Sequence, residues 1–182
     1  MRAGYRSGAL LAGAALFVLS GGLATAQNTK QSATTAGDSH FAREAASGGM
    51  LEVQLGQLAV QKSSNDRVKQ FGQRMIDDHK KAGDELKNVA SKDNISLPGA
   101  MSAKDKATYD SLSKLSGTAF DRAYMKDMVK DHTMDVSSFQ KEANSGSNAD
   151  LKTFAGNTLP TLQDHLKQAR ETNDSLGARS SR

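Results

Sequence analysis

The chain has 182 residues, with 24 Lys and Arg against 20 Asp and Glu, and no Cys or Trp. That length bounds it to one folded domain, and the missing Cys excludes disulfides, thiolate metal sites and a lipid-modified cysteine anchor. Basic and acidic side chains alternate, which speaks against a nucleic-acid partner, and no stretch reaches the ~20 consecutive apolar residues of a transmembrane segment.

Residues 1–26 read as a signal peptide. Arg2 and Arg6 form a basic start, residues 9–19 an apolar run, and Ala24, Thr25 and Ala26 a small-residue cleavage signal. This predicts an exported protein, in the periplasm, associated with the outer membrane, or secreted. Removal of the segment leaves 22 basic against 20 acidic residues, so the pI of 9.3 is a weak feature of the mature chain. Residues 27–39 are polar and small, and a flexible leader is expected there, with Asp38 or Ser39 capping the first helix.

The first long helix is predicted over 41–62, with Phe41, Ala45, Gly48, Glu52, Leu55 and Ala59 on one face. Gly48 and Gly49 inside it cost about 1 kcal/mol each relative to Ala, which predicts a neighbouring helix passing close. Asn65 caps the second helix, whose inner face carries Val68, Met75, Ile76, His79, Ala82, Leu86 and Ala90; Asp93, Asn94 and Pro98 mark its end. Ser102 with Asp105 opens a short helix bearing Tyr109, Leu112 and Leu115, closed by Ser116 and Gly117. The same capping signature recurs at Thr118 with Asp121 and at Ser147 with Asp150.

The third long helix, 119–143, centres its face on His132, flanked by Met125, Met128, Val136 and Phe139. The fourth, 148–170, carries Leu151, Phe154, Leu162, His165 and Ala169, and Pro160 in its middle predicts a kink. Residues 171–182 have almost no apolar content and are expected as a disordered tail. The folded domain, 40–170, is therefore all-α. Short turns join the first pair of long helices and the last pair, whereas a long link with its own helix joins the pairs; that helix spans ~20 Å at ~1.5 Å per residue. This is the connectivity of a ferritin-like four-helix bundle with a long crossover.

Several short motifs together resemble a known family. They are Gly48-Gly49-Met50-Leu51-Glu52-Val53, Met75 with Asp78-His79, Phe120-Asp121 with Tyr124, Asp131-His132, and Thr158-Leu159-Pro160 followed by His165-Leu166. Over about residues 40–170 the chain is similar to the bacterial exported family called domain of unknown function 4142. The resemblance implies a ferritin-like helical bundle of the secreted or outer-membrane kind, and no established activity.

The recurrence of Met75, Asp78 and His79 as Met128, Asp131 and His132 makes the histidines the candidate site. Counting from the turns at ~1.5 Å per residue puts Glu52, His79 and His132 at similar depths of ~18–22 Å, with His165 one to two turns away. Ferritin-like carboxylate centres place a Glu three residues before the His, but Ile76, Val129 and Leu162 stand there, which disfavours a di-iron centre. Asp78, Asp131 and Asp164, each rotated about 100° from its His, are expected off the ligand face.

Three readings of the histidines stay open. They are core groups bonded to one another, to Glu52, to Tyr124 or to backbone carbonyls; or a mononuclear zinc or iron site of Glu52, His79 and His132, with His165 as fourth ligand or supporting group; or, with Met75 and Met128, soft ligands for copper(I). Asp121 is read as a helix-start residue and His40 as a surface residue. No catalytic set is legible. The first functional expectation is thus an exported, cofactor-free, non-enzymatic bundle that meets an unidentified protein partner or envelope component, in a stress-associated role; the alternative is a metal-binding or metal-buffering protein.

Overall fold

Polar caps set where the helices of this chain begin. The computed structural model describes residues 33–178; the expected signal peptide, the leader as far as residue 32, and residues 179–182 lie outside them. Helix α1 (Ala36–Lys62) opens on a capping box in which Thr35 accepts from the Asp38 amide while the Asp38 carboxylate accepts from the Thr35 amide at 2.7 Å. Asp38 is thus the third residue of the box and not the cap, so the helix starts earlier than expected. Helix α2 (Asp66–Lys92) is capped by Asn65, which accepts from the Arg67 amide at 2.9 Å. It ends on Asn94 at φ 55°, with the Ile95 amide returning to Ala90 O at 2.8 Å, a left-handed closure that satisfies an orphan carbonyl.

Ser102 caps α3 (Ala103–Leu112) as its spacing predicts, accepting from the Asp105 amide at 3.1 Å. The next two starts differ from expectation. Helix α4 (Gly117–Ser145) begins behind Ser116 with no side-chain cap, and Asp121 is buried and receives the Ser64 hydroxyl at 2.7 Å where a box with Thr118 was expected. At α5 (Ala149–Ala178) Asn148 accepts from the Leu151 amide at 2.8 Å, while the Ser147 amide bonds Asp38 across the turn, also at 2.8 Å. Helix α5 runs past Pro160 and on to Ala178. The expected tail is therefore helical over 171–178, held by Thr172 and Leu176, which are buried.

The described residues form five helices and no strand. Helix α1 packs along α2 and α4 along α5; α2 meets α5 and α1 meets α4, and α3 lies against α1 and α4. The α1–α2 contact is close at Gly56 and Gly72: a Cβ on Gly56 would fall 2.5 Å from Gly72 O, and one on Gly72 2.6 Å from Ala59 Cβ. At Gly48 and Gly49 nothing lies within 4 Å of such a Cβ, so the close passage expected there occurs two turns later. Among the described residues no helix is long and apolar enough to cross a membrane.

The apolar core comes in two parts. One holds Leu55, Phe71, Met75, Phe120 and Met128, the other Phe41, Leu86, Phe139, Phe154 and Leu162. Along α2 the chain passes from Met75 in the first part to Leu86 in the second with His79 between, and along α4 from Met128 to Phe139 with His132 between. A polar layer therefore interrupts the core.

Candidate metal centre

Each long helix contributes one side chain to this layer: Glu52 from α1, His79 from α2, His132 from α4 and His165 from α5. Glu52, His132 and His165 are fully buried and His79 is 8% exposed. The imidazole centroids lie 5.2–5.8 Å apart, so His165 shares the level of the other two instead of sitting one to two turns away. Phe71 meets His132 and His165 edge-on at 6.3 and 6.5 Å and closes one side.

Hydrogen bonds decide which nitrogens stay bare. His132 Nδ1–H donates to Met128 O at 3.0 Å, which leaves Nε2 with a lone pair. His165 Nε2–H donates to Asp78 Oδ2 at 2.7 Å. Burial works to raise the Asp78 pKa, but hydrogen bonds from His165 and Arg74 outweigh it and hold the carboxyl below its ordinary range, so the group is an ionised acceptor and His165 Nδ1 is bare. The two bare nitrogens face each other at 3.3 Å. Lone pair against lone pair is repulsive; a proton or a cation between them removes the conflict. Tetrahedral coordination with bonds of ~2.0–2.1 Å separates ligand atoms by ~3.3–3.4 Å.

The other half of the layer has the same character. His79 Nε2 lies 2.6 Å from Glu52 Oε2, and His132 Nδ1 3.2 Å from Glu52 Oε1. Neither Glu52 oxygen, nor His79 Nε2, has a partner in hydrogen-bonding geometry. One nitrogen from each of the three histidines lies within 4.8 Å of the others. Burial pushes all three imidazoles down to about 4, which makes them neutral near pH 7 and hence competent as ligands. Burial raises Glu52, an effect that His132 partly offsets.

One aspartate corrects the sequence reading. Asp78, expected off the ligand face, lies off it and bonds the far nitrogen of His165, whereas an Asp131 oxygen, expected off it too, lies within 4.8 Å of oxygens from Glu52 and Asp135. A 100° rotation carries a side chain to the seam with the next helix, and in this fold those seams belong to α5 and α1. Asp164 does stay outside: it is 47% exposed and pairs with Arg74 at 2.6 Å. Burial with Glu52 nearby raises Asp131 to about 7, and burial above all lifts Asp135 well beyond the carboxylate range. Asp135 was missed altogether; its signal is its place one turn after Asp131.

Of the other candidates, the Tyr124 hydroxyl is buried without a hydrogen-bond partner. Met75 and Met128 belong to the apolar core, and Met128 serves the layer through its carbonyl. Asp121 holds Ser64, and His40 is exposed. A cavity of about 520 Å³, lined by Gly48, Gly49, Val53 and Gly83 among others, reaches His79 and Asp135.

A search of curated protein sequences returns no match. Among solved structures the chain is similar to the crystal structure of a DUF305 fragment from Deinococcus radiodurans, at 12% identity and a TM-score of 0.66, over 80% of this chain and 98% of that one. At that identity the likeness speaks for the helical fold alone. A family model described as a domain of unknown function, DUF4142, matches residues 23–172, and the chain belongs to that family.

Proposed function

We propose that this protein binds a transition-metal dication, of the zinc or ferrous kind, through His79, His132, His165 and Glu52. The observation that carries the reading is the pair of bare imidazole nitrogens, His132 Nε2 and His165 Nδ1, held 3.3 Å apart by hydrogen bonds on their far sides. A carbonyl or carboxylate behind a histidine fixes its tautomer and aims its free nitrogen, the usual support of a metal ligand. Three neutral imidazoles and one carboxylate suit zinc or iron, whereas copper(I) favours sulfur, and the thioethers of Met75 and Met128 sit in the apolar core. Four protein ligands fill a tetrahedral sphere, which favours holding or buffering the ion over catalysis on it. The arrangement of four long helices around this layer supports a ferritin-like four-helix bundle, bent at Pro160, and the sequence of residues 1–26 supports work in an exported compartment.

Thermal melts of metal-free, untagged protein test this. Free metal at a hundredfold excess over its dissociation constant adds about 2.7 kcal/mol of stability, a rise of roughly 5–10 °C for a domain of this size. His79→Ala with His132→Ala abolishes that rise. Melts unchanged by zinc, iron(II) and copper(I) would favour the cofactor-free interaction protein instead.

A further inference from the structure

The histidine site leaves Asp131 and Asp135 unused. They stand one turn apart on α4, facing Glu52 on α1, and one oxygen from each of the three carboxylates lies within 4.8 Å of the others. Glu52 is fully buried, and both its oxygens lack a donor in hydrogen-bonding geometry. Asp105 and Asp127 add to the negative field around Asp131, which Lys104 opposes. Carboxylates crowded this closely repel one another unless protons or a cation intervene.

We infer that Glu52, Asp131 and Asp135 form a second cation position, for a hard divalent ion such as Mn²⁺ or Mg²⁺, which shares the Glu52 carboxylate with the histidine site. The inference rests on the metal reading above and extends it to an asymmetric two-ion centre. Oxygen-only ligands select a hard cation, while the imidazole-rich set selects zinc or ferrous ion, so the two positions differ in preference. The hard ion keeps several waters, and the cavity that reaches both His79 and Asp135 supplies the space for them and a path of entry. Gly48, Gly49 and Gly83 line that cavity, and a Cβ on any of them would meet nothing within 4 Å. The helix-interior glycines of α1 thereby keep open a volume that side chains would narrow.

The test uses the full mature chain loaded with one equivalent of zinc and titrated with Mn²⁺, free manganese being read from its aqueous electron paramagnetic resonance signal. The wild type takes up about one Mn²⁺ per chain. Asp131→Asn with Asp135→Asn retains its zinc and loses at least about tenfold in Mn²⁺ affinity; the single variant Asp135→Asn, which leaves two of the three carboxylates, falls between. Zinc retention by the double variant shows that it is folded at the site. A zinc-loaded wild type that takes up no Mn²⁺, or a double variant that binds it like the wild type, overturns the second position while leaving the first intact. A wild type that fails to hold zinc but binds Mn²⁺ through Asp131 and Asp135 removes the histidine reading and retains this one.

Discussion

Asp78 joins α2 to α5 through His165 and is the clearest case of one carboxylate fixing the chemistry of another group. Asp78→Asn should free the His165 ring to flip and lower metal affinity by roughly 10–100-fold, measured by competition with a chelator. Asp164→Asn removes only a half-exposed ion pair with Arg74, worth at most about 1 kcal/mol, and should leave affinity unchanged. Equal losses in both variants would show that Asp78 acts through general surface charge. The pH dependence of the metal-free protein is also set at single residues. His79, His132 and His165 titrate at about 4 in the fold against ~6.5 unfolded; their contribution is complete above ~6.5 and is lost as pH falls toward 4, because the unfolded chain takes up protons first. Asp131 and Glu142, both raised by burial to about 7, act in reverse, and their contribution is lost as pH climbs through 7; burial also raises Glu52, Asp127 and Asp135, which act in the same sense. The two sets oppose each other between about pH 4 and 6.5, so the wild-type profile should be shallow there. Urea unfolding of Asp131→Asn with Asp135→Asn, which removes two of the opposing carboxyls, should show a slope of stability with pH that is more positive than that of the wild type across that window. A slope unchanged from the wild type would show that Asp131 and Asp135 do not oppose the histidines.

At the scale of the helix, legibility followed how local each signal is. Asn65 and Ser102 cap through amides two and three residues away, and a capping motif in the sequence contains everything such a bond needs. Thr118 and Asp121 follow the same pattern, but the Ser64 hydroxyl arrives from the turn between α1 and α2 and takes the aspartate. Glycines behave likewise: sequence shows where backbone is bare and not which bare patch meets a neighbour. Gly56 and Gly72 do, and Gly56→Ala or Gly72→Ala should destabilise by about 1–3 kcal/mol through overpacking. Gly48→Ala or Gly49→Ala, with open space at the Cβ, should stabilise by up to about 1 kcal/mol each from helix propensity. Urea denaturation separates the two pairs, and a loss at Gly48 as large as at Gly56 would mean that α1 is pressed by a neighbour along its whole length. The buried polar layer of one side chain per long helix was legible, because Glu52, His79, His132 and His165 all sit on the apolar stripe. The aspartates that support it were not, because they face seams whose partners only the packing of the bundle decides.

Across the whole molecule the polar layer is the feature that burial energetics explain least without an ion. It splits the core into two apolar parts, and it buries a carboxylate and three imidazoles where aliphatic side chains of similar volume would be neutral or more stable. His132 Nε2 and His165 Nδ1, bare and 3.3 Å apart, need a proton or a cation between them. A dication bound there would relieve that contact and tie helices α2, α4 and α5 to one point. X-ray absorption on untagged mature protein, reconstituted with one equivalent of zinc and dialysed, reads that centre directly. The account predicts one retained zinc per chain with imidazole scattering and a nitrogen and oxygen shell at ~2.0–2.1 Å. Zinc lost on dialysis, or retained with a spectrum that His79→Ala with His132→Ala leaves unchanged, would contradict it.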